Sequence, residues 1–270
     1  MDYANILVSA DLGEAAADRI SLAAGLARRF GASLTGAAAH KIPVPILVRD
    51  VCDAVDHIEQ NAARVRGLLK QTRELFARSA GQGVQTYWHS SFDDPVTHLV
   101  AQACGADLVV VSRRGSDDTD PGPLGVAPEP ILMEAGRAVL VVPPRVIHLK
   151  AGRIVVAWQD APETRRAISA ALPLIRNADQ VFVATVGARA RPGEAEDVAG
   201  HLARHGASAA AHHLRGVSRV SDEILHFALL QDADLIVLGA YGHSRLQEWM
   251  LGGVTRDMLD RSPICSLMCH

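Results

Sequence analysis

Glycine stands at positions 239, 242, 252 and 253, just after the apolar run Leu235–Leu238. This spacing is the clearest chemical signal in the chain. Glycine lets backbone N–H groups turn toward a ligand with no Cβ in the way, so Gly239-x2-Gly242 has the makings of an anion nest. Gly252-Gly253 opens the next helical stretch, Val254 to Leu259, and a helix N-terminus presents unpaired N–H groups and a partial positive charge. Both features suit phosphate. The sequence has no Walker lysine, so backbone donors would do most of the cradling, with Thr255 and Arg245 as side-chain helpers. The plainer alternative is that these glycines only let a loop leave a strand and separate two helices.

Other constellations carry less. His201 and His205 are four apart on an expected helix and share a face, but a zinc site needs three or four ligands and no partner is placed by sequence. Cys265-x3-Cys269-His270 lies on an expected terminal strand and matches no zinc-knuckle spacing. Asp93-Asp94-Pro95 reads as the acidic cap and proline start of the helix Val96–Cys104. No nucleophile elbow and no Ser/His/Asp set can be assembled. Trp158, at an expected strand end, is a candidate wall for a base pocket, although an aromatic there more often joins the core.

The elements that must position the glycine loop repeat once along the chain. Ile20-Ser21 recurs as Ile168-Ser169, Leu26 as Leu174 and Arg28 as Arg176, each 148 residues on. Gly105-Ala-Asp-Leu-Val-Val-Val-Ser recurs as Asp232-Ala-Asp-Leu-Ile-Val-Leu-Gly at an offset of 127, so the first half carries 21 more residues between Lys41 and Gly83. A repeat of this length is a whole domain. Its seam falls near Pro143-Pro144, which gives expected domains at 1–148 and 149–270. Within each half, strands alternate with helices. The strands are continuous Val/Ile/Leu runs (Leu108–Val111, Val139–Val142, Leu235–Leu238), as in parallel strands buried on both faces. The expected fold class is therefore α/β, two similar open parallel sheets in tandem, with ligands beyond the carboxyl ends of the strands.

Composition agrees. The 270 residues are 49% hydrophobic and 21% charged, with a net charge of −3, which is globular and lacks the basic footprint of a nucleic-acid binder. No run approaches the ~18 apolar residues of a membrane span. The four cysteines are irregularly spaced, and Met-Asp-Tyr-Ala-Asn leads directly into Ile6-Leu-Val-Ser-Ala10 with no basic and apolar leader. A cytoplasmic chain that binds neither nucleic acid nor membrane is the expectation.

Gly239-x2-Gly242-x9-Gly252 resembles the G-x2-G-x9-G-(S/T) nucleotide signature of the universal stress protein family. Ala233-Asp-Leu-Ile-Val-Leu-Gly and Arg153-Ile-Val-Val-Ala-Trp are similar to that family too. The resemblance covers the chain in a tandem two-domain form. It implies Rossmann-like domains of the adenine-nucleotide alpha-hydrolase type. The implied ligand is ATP, ADP or AMP, with Mg2+ as a possible companion, held mainly in the second half. The residues implied are Gly239, Gly242, His243, Arg245, Gly252, Gly253, Val254 and Thr255, with Trp158, Gln159, Asp160 and Val186 from other strand ends.

There are departures from the signature. Gly253 replaces the family's hydroxyl after the last glycine, and Gln159 stands where an acid is usual, with Asp160 beside it. The first half has Ser112-x2-Gly115-x9-Gly125-Val126, with Asp117, Asp118 and Asp120 to repel a polyphosphate. Asp11 keeps the acidic position, so this half is expected to be a degraded or altered site.

The function implied is a nucleotide-responsive stress or regulatory protein, not an enzyme, acting through conformation or partner choice, with any hydrolysis slow and incidental. The alternative is a nucleotide-free scaffold or small-molecule binder of the same fold. An adenylyl transferase is disfavoured, because His-x-Gly-His and Ser-Gly-Gly-x-Asp-Ser are missing. Family members dimerise through their last strands. Val139–Val142 and Ile264–Met268 are thus expected to pair as an internal pseudo-dimer, and a homodimer of two chains stays open.

Overall fold

The structure, a computed structural model, describes residues 2–44, 51–187, 191, 193–242 and 253–270. The first half runs β1 (Asn5–Ser9), α1 (Ala16–Phe30), β2 (Ser33–Ala39), α2 (Val51–Ala80), β3 (Thr86–Ser91), α3 (Pro95–Gln102), β4 (Leu108–Ser112), α4 (Pro128–Glu134) and β5 (Ala138–Val142). The second half repeats this grammar with β6 (Arg153–Ala157), α5 (Pro162–Ile175), β7 (Gln180–Val186), α6 (Glu194–Arg204), β8 (Ala209–Leu214), α7 (Val220–Leu230), β9 (Leu235–Gly239), α8 (Val254–Arg261) and β10 (Cys265–Cys269). No helix among the described residues is long and apolar enough to cross a membrane.

All ten strands form one sheet in the order β3-β2-β1-β4-β5-β10-β9-β6-β7-β8. Every neighbouring pair is parallel except β5 and β10, which run antiparallel with Val141 opposite Ser266, Leu140 opposite Leu267 and Val139 opposite Met268. The last strands of the two halves therefore pair with each other as the sequence led one to expect. Leu140 and Leu267 are fully buried in this junction, and each fully buried leucine contributes about 1.5–3 kcal/mol.

Alternate residues of each strand feed two cores. Ile6, Val8, Ile154 and Val156 pack under α1, α2, α5 and α6. Leu7, Val109, Val155 and Ile236 pack under α3, α4, α7 and α8. This two-sided burial is why the strands read as unbroken apolar runs. The residues added to the first half go into α2, 30 residues long against 11 in α6. Its Phe76 lies so close over β2 that a Cβ at Gly36 would sit 2.7 Å from the ring.

Helix ends follow local rules. Asp94 caps α3, accepting from the N–H groups of Val96 at 3.0 Å and Thr97 at 3.1 Å, and those bonds, the one from Thr97 foremost, hold its carboxyl below the usual range. Helix α3 stops at Gln102, two residues earlier than its apolar spacing suggests, and a short 3-10 turn, Ala103–Gly105, follows. Gly31 ends α1 at φ 64°, a left-handed conformation that glycine adopts without penalty.

Candidate functional site

The loop after β9 is fixed at its base by three contacts. The Ala240 N–H donates to the Cys269 carbonyl at 2.8 Å, and the Ala240 carbonyl meets Nδ1 of His270 at 3.2 Å. The Tyr241 N–H points at the Thr255 hydroxyl, 3.4 Å away. Thr255 is buried; its hydroxyl ties the loop to the first turn of α8. Tyr241 holds φ 55°, a conformation that side chains other than Gly, Asn and Asp adopt uncommonly. Gly253 caps α8 with extended backbone and no side-chain partner. Arg256, exposed in the first turn of that helix, makes no ion pair or hydrogen bond among the described residues.

Gly239 and Gly242 meet the start of α5. A Cβ on Gly239 would lie 2.7 Å from Oγ1 of Thr164, and one on Gly242 would lie 1.5 Å from Oε1 of Glu163. Glu163 is 6% exposed, and its one cationic neighbour among the described residues is Arg166, 3.8 Å away and largely exposed. A proline at the first helical position and an acid behind it announce the start of α5 in the sequence. Nothing in the sequence tells that this start abuts the glycine loop, so Glu163, Thr164 and Arg256 escape a motif-based reading.

The residues expected to form the ligand site divide into groups. Gly239, Gly242, Gly253, Val254 and Thr255 come together at the ends of β9 and α8. Val186, at the end of β7, lies on the same face of the sheet as Tyr241 and Val254. Trp158 packs on the opposite face, with α5 and α6, because its even position on β6 aligns it with Ile154 and Val156. Its indole N–H donates to Glu194 at 2.6 Å. Gln159 is exposed, and Asp160 is exposed and ion-paired with Arg165. His243, Arg245 and Gly252 lie outside the described residues.

The equivalent place in the first half is narrowed by its own side chains to a small cavity lined by Asp11, Arg19, Ser112, Arg113, Asp118 and Pro121. Asp11, at the end of β1, pairs with Arg19 of α1 at 2.7 Å, and both side chains are nearly fully buried, 4% and 2% exposed. The Arg19 Nε also donates to the Ser9 carbonyl at 3.0 Å, and its Nη1 donates to the Ser112 hydroxyl. A Cβ on Gly125 would lie 2.3 Å from Pro121, and one on Gly13 would lie 2.8 Å from it, so the proline ring fills the space between the two loops.

Arg113 grips Asp118 through Nε at 3.0 Å and Nη2 at 2.5 Å. Burial pushes the Asp118 carboxyl up, but these bonds, the Gly115 N–H and the Arg113 charge outweigh it and hold the group below its usual range. The same loop docks on the second half. Arg113 donates to the Ser262 carbonyl at 2.9 Å, and the Ser116 N–H donates to Asp260 at 3.0 Å.

Among the described residues no group of three or more His, Cys, Asp or Glu could hold a metal. His201 and His205 meet edge to face, with ring centroids 4.8 Å apart. Cys265 and Cys269 are buried, and burial pushes their thiols up to about 12 and about 11.

Residues 150–270 match the model of the Universal stress protein family. No curated protein matches the chain. The solved structure of a universal stress protein from Archaeoglobus fulgidus DSM 4304 is similar with a TM-score of 0.75 at 16% identity, covering 98% of this chain and 95% of that one. A Pseudomonas aeruginosa UCBPP-PA14 protein assigned as a universal stress protein gives 0.56 at 19% identity, covering 98% and 92%. A functionally unknown protein of Pseudomonas aeruginosa PAO1 gives 0.54 at 17%, with the same coverage. Such likeness establishes the fold from end to end. Residues 150–270 thus match the universal stress protein family, and the chain as a whole has the fold of these structures, with two similar halves in tandem.

Proposed function

We propose that this chain is a stress-response or regulatory protein that binds an adenine nucleotide in its second half and acts through conformation or partner choice, not through turnover. The observation that supports this most is the loop after β9. Its base is fixed at Ala240 and Tyr241, and the Tyr241 N–H meets Thr255 in the first turn of α8, beside Arg256, which is unpaired among the described residues. Such an N-terminus is suited to phosphate, and Val186, Tyr241 and Val254 offer an apolar side to a base. ATP, ADP and AMP, with or without Mg2+, are the candidate ligands. The domains divide at 148/149, close to the start of the family match, and a cytoplasmic setting suits the free thiols of Cys104, Cys265 and Cys269.

The test is calorimetric titration of nucleotide-stripped protein with ATP, ADP and AMP, beside Arg256→Ala and Gly242→Val variants. Saturable binding weakened about tenfold by Arg256→Ala supports the proposal, since a charge-assisted hydrogen bond contributes about 1.5–3 kcal/mol. No binding of any of the three at millimolar concentration refutes it and favours a nucleotide-free scaffold. Arg256 is the cleaner probe. A side chain at Gly242 displaces Glu163 whether or not a ligand binds.

A further inference from the structure

Helix α2 is longer than the strands it packs on. Its 30 residues span about 45 Å, whereas β2 has 7 residues and spans about 23 Å. The helix starts at the carboxyl end of β2 and runs back toward the start of β3. Its later turns lie on the core, where Val65, Leu69 and Phe76 pack with Ile20, Ala24 and Leu34, and Thr72 is fully buried. The same stripe continues toward the helix start in alternating steps of three and four residues, through Ala62, Ile58 and Val55, the spacing of a coiled-coil seam. There the core no longer covers it. Val55 is 48% exposed and Ile58 40%, and every residue from 55 to 60 is exposed. Asn61 donates to the Pro43 carbonyl at 2.9 Å, which holds the described end of the preceding loop to the flank of the helix. Charge along these turns is ordered as well. Asp56 and Glu59 come first, Arg64 and Arg66 follow, and all four are exposed with no ion pair or hydrogen bond among the described residues. No opposite charge stands three or four residues from any of them, so the helix does not pair them internally.

We propose that the overhanging turns of α2 are a self-association surface, on which a second copy of this chain seats the same helix end for end. The antiparallel arrangement sets Val55, Ile58 and Ala62 of one copy against the same stripe of the other. It also lays Asp56 and Glu59 beside the partner's Arg64 and Arg66, on both sides of a two-fold axis near Asn61. A helix with this charge order finds its complement in itself reversed, whereas a parallel pair would bring like charges together. The counterpart helix α6 has only 11 residues, so each chain carries one such seam and association closes at the dimer. The contact covers about 20 Å of helix. Such a short interface is weak, with half-association at about tens of micromolar, and at low-micromolar concentration the 28.7 kDa chain stays single.

The experiment is sedimentation equilibrium of the nucleotide-free full chain from about 1 to about 300 µM, a range that brackets the expected dissociation constant. Wild type should pass reversibly from monomer to dimer and go no further, and raising the salt should weaken the dimer. Ile58→Asp, at an exposed position, should keep the melting temperature and circular dichroism of wild type and remain monomeric throughout. Two charge reversals test the orientation. Asp56→Lys/Glu59→Lys and Arg64→Glu/Arg66→Glu should each weaken self-association about tenfold, since each turns attraction into repulsion at both ends of the pair. An equimolar mixture of the two should recover the dimer as a heterodimer. A monomer at every concentration overturns the proposal and assigns the stripe to a cover from within the chain, for which residues 45–50 are the nearest segment. A dimer that survives Ile58→Asp overturns it too, because another surface then holds the copies together. Reversals that leave the constant unchanged overturn the antiparallel seating.

Discussion

Asp11 is the acid that a nucleotide would need in the first half, yet it is committed to Arg19. The decisive perturbation is Asp11→Ala. The guanidinium left behind is 2% exposed on its side chain and keeps only the Ser9 carbonyl and the Ser112 hydroxyl. Removing one member of a buried pair typically costs about 3–5 kcal/mol, because the surviving charge stays buried and unpaired. The two retained hydrogen bonds place Arg19 at the lower end, and the Gly13 N–H, which donates to Asp11 at 2.9 Å, loses its acceptor for about 1 kcal/mol more. The expected loss is about 3–4 kcal/mol. The double variant Asp11→Asn/Arg19→Met should recover most of that loss, since no buried charge is left unpaired and the Asn oxygen still accepts from the Gly13 N–H. The assay is urea unfolding followed by both tryptophan fluorescence and circular dichroism, with coincident transitions required before energies are compared. Asp179→Ala, which breaks the exposed Lys150–Asp179 pair, serves as the control and should leave the midpoint unmoved. A loss below about 1 kcal/mol for Asp11→Ala would refute the reasoning. So would a double variant as unstable as the single, because the cost would then not come from the orphaned arginine. The nucleotide affinity of Asp11→Ala should equal that of wild type, since the proposed site lies in the other half.

Three further outcomes are expected. A protease site placed between the exposed Ile147 and His148 should give a nicked chain that sediments as a single 28.7 kDa particle, held by the β5–β10 pairing and by the Tyr3 hydroxyl donating to Ala170 at 2.7 Å; separation into halves would contradict the continuous sheet. Asp118 is held below its usual pKa, so its stabilisation is fully present above the unfolded value, about 4, and fades as pH falls through the folded one. The stability gap between wild type and Asp118→Asn should therefore be constant near neutrality and close below about pH 4, and a constant gap down to acid unfolding would refute this. In a Cys52→Ser background, Ellman's reagent at pH 8 should label the exposed Cys104 alone, with Cys265 and Cys269 reacting only after denaturation, because burial pushes their thiols up to about 12 and about 11.

The sheet was legible in the sequence because its signal is local. The run expected at Val139–Val142 is β5 less its first residue, and the one at Leu235–Leu238 is β9 less its last. The extra residues of the first half could be assigned to a helix because α2 keeps its apolar spacing across them. The contacts that decide the site are not local. Asp11 and Arg19 are eight residues apart, but their pairing depends on how steeply α1 leaves β1. Glu163 and Gly242 are brought together only when α5 packs against β9. Trp158 shows the limit most plainly. Its position at a strand end was correctly read, but the parity that turns it toward Glu194 and away from Val186 needs the register of β6.

A signature built on glycine cannot by itself distinguish a ligand loop from a close packing contact, and the first half shows why. Gly115 and Gly125 keep two of the three glycine positions, yet neither is open to a ligand. A Cβ on Gly115 would lie 1.9 Å from the Asp260 carbonyl, and one on Gly125 would strike Pro121. The loop has become part of the contact between the halves, through Arg113 to Ser262 and Ser116 to Asp260. Gly115→Ala should therefore loosen that contact, lowering the melting temperature and exposing the nicked junction, without touching nucleotide affinity. Gly242 has a packing reason of its own in Glu163, so loss of binding in Gly242→Val would not separate the two explanations. Charge does separate them. Exchanging Arg256 for a neutral side chain leaves every glycine in place, so a loss of nucleotide affinity under that exchange reports a phosphate at the start of α8 and not a repacked glycine.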